Sequence, residues 1–144
     1  MSGFQAPHGG AISPHVLVTS LKPDIFIVNE LSEEVFVFEL TCPWDRNISR
    51  SHSYKSEKYA PLVADLAQTR IVSFFPIEVS ARGQVTRDNR TRIKCFLHKT
   101  CSNPAKLFKP SITITSKAAL LSSFTLFAAR GEPTWEDPAP MVVR

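Results

Sequence analysis

The alternation of apolar and polar positions places the first regular structure between residues 25 and 40. Ile25 to Val28 and Val35 to Leu40 are runs of Val, Ile and Phe separated by the polar stretch Asn29-Glu30-Leu31-Ser32-Glu33-Glu34, which predicts a β-hairpin with a long loop. Both faces of the pair are apolar, with Phe26, Val28, Val35 and Val37 on one and Ile25, Ile27, Phe36 and Phe38 on the other. A sheet covered on both sides follows, since a half-exposed strand would carry polar residues at every second position. Pro43-Trp44-Asp45 breaks the pattern, and Asn47 or Ser49 can cap a helix running to about Gln68. Its inward stripe is Ile48, His52, Lys55, Tyr59, Leu62 and Leu66, at spacings of four and three. Pro61 inside this run predicts a kink or a fresh first turn.

Arg70 to Val79 is a third extended segment, expected beside the hairpin and ending at the Ala81-Arg82-Gly83 turn. Thr86 can cap a helix to about His98, with Ile93, Phe96 and Leu97 inward and Arg87, Arg90 and Lys94 outward. Ser102 to Pro110 reads as a loop, Ile112-Thr113-Ile114-Thr115 alternates like a strand, and Ser116 to Arg130 reads as a helix with Leu120, Phe124 and Phe127 on one side. The expected fold is α/β, a small mixed sheet flanked by helices. One domain over residues 21–130 lies between an irregular segment 1–20 and an irregular Pro-rich tail 131–144, whose Trp135 is expected to dock on the core.

Composition narrows the class. With 144 residues, 43% hydrophobic and 21% charged, the chain suits one soluble globular domain that can bury a core without a disulfide or metal staple. Three cysteines, Cys42, Cys95 and Cys101, form no disulfide framework and suit a reducing, intracellular or nuclear setting. Met1 to Pro14 lacks the basic start and apolar run of a signal peptide. The longest apolar-rich stretch, Ala118 to Ala129, is interrupted by Ser122, Ser123 and Thr125 and is shorter than the ~20 residues a bilayer requires, so no membrane is expected.

The net charge of +4 is unevenly spread. Nine of the thirteen acids lie between Asp24 and Glu78, whereas Arg82 to Lys109 holds eight basic residues and one acid. An acidic half followed by a basic half suits a metal site beside a phosphate-binding surface, with Arg82, Arg87, Arg90 and Lys94 as candidate DNA contacts. The plainer reading is a solvated basic helix face.

If the hairpin closes symmetrically, Val28 faces Val35, Phe26 faces Val37 and Asp24 faces Glu39. Opposed residues share a face with Cβ atoms roughly 4.5 to 5.5 Å apart, and two carboxylates that close repel unless a positive charge lies between them. Mg²⁺ or Mn²⁺ fits, because a hard cation takes one or two carboxylates with waters and substrate phosphate. Such an ion orients a phosphodiester and activates water, while Lys55, or Lys58 one step off its face, could position that water or stabilise the developing anion. Alone, Asp24 reads as an acid ending a turn and Glu39 as a salt-bridged strand residue. Thr41 projects from the same face but is not basic. Glu78 is a third ligand, a partner that supports the ligands from behind, or more plainly a solvated strand end, and His52 is either a substrate contact or a hydrogen-bonded, partly buried histidine. Cys95, His98 and Cys101, with Cys42, match no established zinc spacing.

Pro23-Asp24, then fourteen residues, then Glu39-Leu40-Thr41 resembles the PD-(D/E)xK nuclease signature, with threonine where that family usually has lysine. Some members of the superfamily move the lysine to the following helix and others carry Gln-xxx-Tyr there; this chain has Lys55-Ser56-Glu57-Lys58-Tyr59. Lys22-Pro23-Asp24-Ile25, Glu39-Leu40-Thr41-Cys42-Pro43-Trp44, Glu57-Lys58-Tyr59-Ala60-Pro61-Leu62 and Phe75-Pro76-Ile77-Glu78-Val79-Ser80-Ala81-Arg82-Gly83 are together similar to the nuclease-like segment that follows reverse transcriptase in some animal retroelement open reading frames. The resemblance spans residues 22 to 83. It implies a restriction-endonuclease-like core, metal-dependent cleavage of DNA with Asp24 and Glu39 as metal ligands, and descent from a mobile element. The helix, often bearing a further acid, that usually precedes the first core strand has no counterpart in Met1 to Ser20, which suggests an N-terminal truncation. The alternative expectation is an inactive module that binds nucleic acid or protein.

Overall fold

A hairpin and a parallel crossover build the centre of the structure, a computed structural model that describes Phe4, Gln5, Ile12, Leu17 and residues 19–130. Strand β1 (Phe4–Gln5) is a two-residue edge segment antiparallel to β2 (Ile25–Asn29). β2 and β3 (Glu34–Thr41) form the hairpin, with Val28 opposite Val35 and Phe26 opposite Val37, the register expected from the apolar pattern. A slip of one residue would turn each apolar set to the wrong face, so burial on both sides fixes this pairing. β4 (Ile71–Glu78) lies on the other side of β3 and runs parallel to it, giving the order β1-β2-β3-β4. Pro76 is tolerated because β4 is an edge strand.

The parallel step needs a crossover, supplied by helix α1 (Ile48–Leu66) after one 3₁₀ turn at Asp45–Asn47. Asn47 occupies the N-cap, yet its side chain makes no capping bond; its backbone N–H instead closes the 3₁₀ turn on Trp44. The helix continues through Pro61, which is exposed, as is Glu57 one turn earlier, so water can reach the carbonyl that the missing N–H leaves free. The inward stripe is as the periodicity predicts: Tyr59, Leu62 and Leu66 pack on Phe26, Val28, Val35 and Val37, and Ile12 joins this core.

The opposite face carries a second core, formed by Ile77, Val79 and Val85 with Ile93 and Leu97 of α2 (Arg87–Thr100) and Ile112 and Ala119 of α3 (Pro104–Ala129). Thr86 caps α2 by accepting a hydrogen bond from the Asn89 N–H. Arg87, Arg90 and Lys94 are exposed, as expected. Phe96 contributes ring contacts to Phe38 and Phe75 across the layer.

Two expectations fail in the second half. Pro104–Pro110 of the expected loop and the expected strand at Ile112–Thr115 are both part of the 26-residue helix α3, and only Ser102 and Asn103 stay outside it. Asn103 caps it by accepting from the Lys106 N–H, and Pro104 occupies its first turn, where a missing N–H costs nothing. Thr113 and Thr115 turn their hydroxyls back to the carbonyls of Lys109 and Ser111. Docking of Ile112 on the α2 core outweighs the β preference of this Ile-Thr repeat. By length and composition α3 is also long and apolar enough to cross a membrane, with a hydropathy of 1.4, a requirement that Ala118–Ala129 alone does not meet. Segment 1–20 is not wholly irregular, since Phe4–Gln5 pairs with β2 and Ile12 is buried. The tail and Trp135 lie outside the described residues.

Candidate functional site

Period-two alternation carries Glu39 onto the α1 side of β3, beyond Val35 and Val37, where only the first turns of α1 can cover it. Glu39 is 4% exposed. A buried carboxylate must be paired and hydrogen-bonded, and three groups meet that need: Oε1 forms an ion pair with the Lys55 ammonium, and Oε2 accepts from the Tyr59 hydroxyl at 3.0 Å and the Asp24 N–H at 3.3 Å. The Tyr59 hydroxyl is also 3.2 Å from the Lys22 carbonyl, so its single proton faces both Glu39 and the segment leading into β2. Asp24 is exposed and its Oδ2 accepts the Leu40 N–H at 2.7 Å. Asp24 and Glu39 thus brace each other through backbone donors across the hairpin end.

Of the two candidate lysines, Lys55 reaches this centre. Lys58 is exposed, its ammonium over the Tyr59 ring at 5.0 Å from the centroid. Burial and the Glu39 carboxylate raise the Tyr59 phenol above its ordinary value. The unfolded chain therefore loses this proton first, near pH 10, and the folded form loses it only at higher pH. Stability from this group is complete below about pH 10 and declines above it. Urea unfolding of Tyr59→Phe beside wild type should show a shallower fall in stability above that pH; identical alkaline slopes would contradict it.

Glu39 and Asp24 offer oxygen ligands alone, the donor set a hard divalent cation prefers, and Lys55 offsets the charge of Glu39 while Asp24 adds a further negative charge. Among the described residues no group of three His, Cys, Asp or Glu side chains converges on one point. Two carboxylates with waters and a phosphate still satisfy Mg²⁺, so the residues fit such an ion with open positions. Cys42 and Cys95 are exposed and Cys101 is half-buried, and they form no cluster with His98.

A second polar centre was not foreseen. Glu78 is fully buried on the α1 side of β4, opposite Thr41. Its Oε1 is 3.1 Å from His52 Nδ1 and its Oε2 is 3.7 Å from Arg92 Nη1. Asn89, also fully buried, donates to the Glu78 carbonyl at 2.7 Å and accepts from Arg92 Nη1 at 2.9 Å. The signal was present in the sequence: Glu78 continues the period-two series Val72, Phe74, Pro76 on the covered face, and His52 stands on the stripe of α1.

The four basic residues expected on DNA do not form one surface with equal freedom. Arg82 makes a two-pronged contact with Asp45, which holds the Asp45 carboxyl below its ordinary value. The Arg90 Nε donates to the Val85 carbonyl at 3.2 Å. An apolar crevice of about 270 Å³ lies among Ile25, Phe38, Ile93, Phe96 and Leu97, on the sheet face away from both carboxylate centres.

Neither the family models nor the curated proteins compared with this chain include a match.

Proposed function

We propose that the chain is a metal-dependent deoxyribonuclease domain of the PD-(D/E)xK type, a hydrolase derived from a retroelement. The observation that supports this reading most directly is the convergence of Asp24, Glu39 and Lys55 from the start of β2, from β3 and from α1 at one end of the sheet. Asp24 and Glu39 would hold Mg²⁺ or Mn²⁺. When bound, such an ion polarises a phosphoryl oxygen and lowers the pKa of a coordinated water. Lys55 then balances the negative charge that accumulates on the phosphate, and Tyr59 keeps Glu39 oriented from behind. The exposed Arg87 and Lys94 of α2 would hold DNA phosphates in the manner of screened surface charges.

A second reading is a nucleic-acid or protein binding module that has lost cleavage. It draws on the complete use of both Glu39 oxygens by Lys55, Tyr59 and Asp24. One experiment separates the two. Single- and double-stranded DNA are incubated with wild type and Asp24→Asn in Mg²⁺, Mn²⁺ or EDTA. The nuclease reading expects cleavage by wild type only with metal and a rate far lower for Asp24→Asn, whose amide can still accept the Leu40 N–H and keep the fold. Equal rates would remove Asp24 from the mechanism. Salt-sensitive binding with no cleavage under any condition would favour the binding module.

A further inference from the structure

We propose that Arg92, held in place by His52, Glu78 and Asn89, forms an anion subsite that takes a phosphate of the bound DNA strand adjoining the Asp24–Glu39–Lys55 centre. This rests on the nuclease reading above and assigns its next contact along the substrate.

Glu78 sits too deep to touch a polyanion, and it would repel one. Its effect is on the two side chains above it. The carboxylate anchors His52 through Nδ1, and Asn89 fixes one edge of the Arg92 guanidinium while its amide grips the Glu78 backbone. Residues of α1, β4 and α2 thereby lock one arrangement, while the side chains of His52 and Arg92 stay about one-third exposed. Arg92 Nη2 lies 3.4 Å from His52 Nε2. A guanidinium only donates, so in this contact Nε2 accepts and the ring proton is on Nδ1, facing Glu78. The other Arg92 donors are left for a ligand, and a rigid planar fork matches phosphate oxygens in pairs.

Placement supplies the second argument. His52 precedes Lys55 by three residues on the same stripe, a separation of roughly 5–6 Å between Cβ atoms. Thr41, opposite Glu78 in register, follows Glu39 by two residues on the same side of β3, roughly 7 Å along the strand. The Thr41 hydroxyl is buried with no hydrogen-bond partner among the described residues, so the floor between the two centres contains a polar group that the protein leaves unused. A DNA strand presents one phosphate per about 3.4 Å of helix axis. A phosphate at Lys55 therefore has a neighbour within reach of Arg92. A second divalent cation is disfavoured there, because the Arg92 guanidinium already offsets the Glu78 charge.

The test is anisotropy of a fluorescein-labelled DNA duplex titrated with the full chain in EDTA, from about 50 to 200 mM salt. Arg92→Gln is expected to weaken binding about tenfold and to lower the slope of log affinity against log salt by about one. Arg92→Lys should recover the slope and only part of the affinity, since lysine keeps the charge without the fork. Lys117→Gln, which removes the same charge from an exposed position on α3, should bind as wild type does. His52→Gln, which can still donate to Glu78, should weaken binding severalfold and serves as the test if Arg92→Gln fails to fold. Wild-type affinity and slope in folded Arg92→Gln, or in His52→Gln if that variant must stand in, would overturn the subsite while leaving the nuclease reading intact. A wild-type chain that binds no duplex would overturn both.

Discussion

If the chain is the nuclease proposed above, Lys55→Ala should sharply lower metal-dependent cleavage and also destabilise the fold, and the two effects have one cause. The Lys55 ammonium is the only cation in contact with Glu39 among the described residues, and the carboxylate has little water access. Removing one partner of a buried pair typically costs about 3–5 kcal/mol, because the remaining charge is stranded. The Tyr59 hydroxyl and the Asp24 N–H still serve Oε2, so the lower end, about 3 kcal/mol, is expected in urea unfolding. In the proposed mechanism, loss of a transition-state cation in a water-poor site would lower the rate by roughly 10²–10³-fold. Glu39→Leu combined with Lys55→Met separates the effects: replacing both charges by apolar side chains should restore most of the stability and none of the cleavage. A Lys55→Ala protein as stable as wild type would show that the pair is not buried in solution. Undiminished cleavage would remove Lys55 from the mechanism.

Gly83→Ala should destabilise the protein although it changes no polar group. Gly83 adopts φ +77°, a conformation that costs an L-residue with a Cβ about 1–2 kcal/mol. An added Cβ would also lie 2.7 Å from the Ser116 carbonyl oxygen of α3, and backbone on both sides leaves no flexible side chain to move aside. The turn is tightly specified: Gly83 N–H donates to the Ser80 carbonyl, and Ser80 exchanges two further bonds with Gln84. Relief therefore requires α3 to shift from the second core. A loss of about 3 kcal/mol or more follows, with a lower urea midpoint. Because Asp24, Glu39 and Lys55 lie on the other face of the sheet, the residual folded protein should retain whatever cleavage the wild type shows under the proposed function. Unchanged stability would mean that α3 does not pack on this turn.

The first half of the chain was legible because its signals are local and mutually consistent. Period-two alternation in Ile25–Val28 and Val35–Leu40, and the 3.6-residue period of Ile48 to Leu66, each describe one element docking on one surface. The hairpin register followed from arithmetic on apolar positions, and just beyond the paired residues Asp24 and Glu39 meet through the Asp24 and Leu40 N–H groups. Lys55 could be placed on the inward face of α1 because helix geometry fixes its angle relative to Tyr59 and Leu62. Its choice of Glu39 over solvent, and the exclusion of Lys58, depend on how α1 crosses the sheet.

The second half misled because its local preferences conflict. Ile112 to Thr115 has strand composition, and Pro104 and Pro110 argue against a long helix, yet α3 spans all of them. Capping by Asn103, back-bonded threonine hydroxyls and the burial of Ile112 and Ala119 against α2 decide the outcome, and only the first of these is a local signal.

By itself the sequence determined the mixed sheet, the stripe of α1 and the pairing of two carboxylates at the hairpin end, because these depend on chain periodicity and strand register. Only the tertiary structure decided that Glu78 lies fully buried beneath His52 and Arg92. That centre joins residues 26 and 40 positions apart, brought together by the parallel crossover of β4 and the packing of α2. No periodic pattern encodes such a distance. It arises when buried charge must find partners from whatever elements the core has already brought alongside.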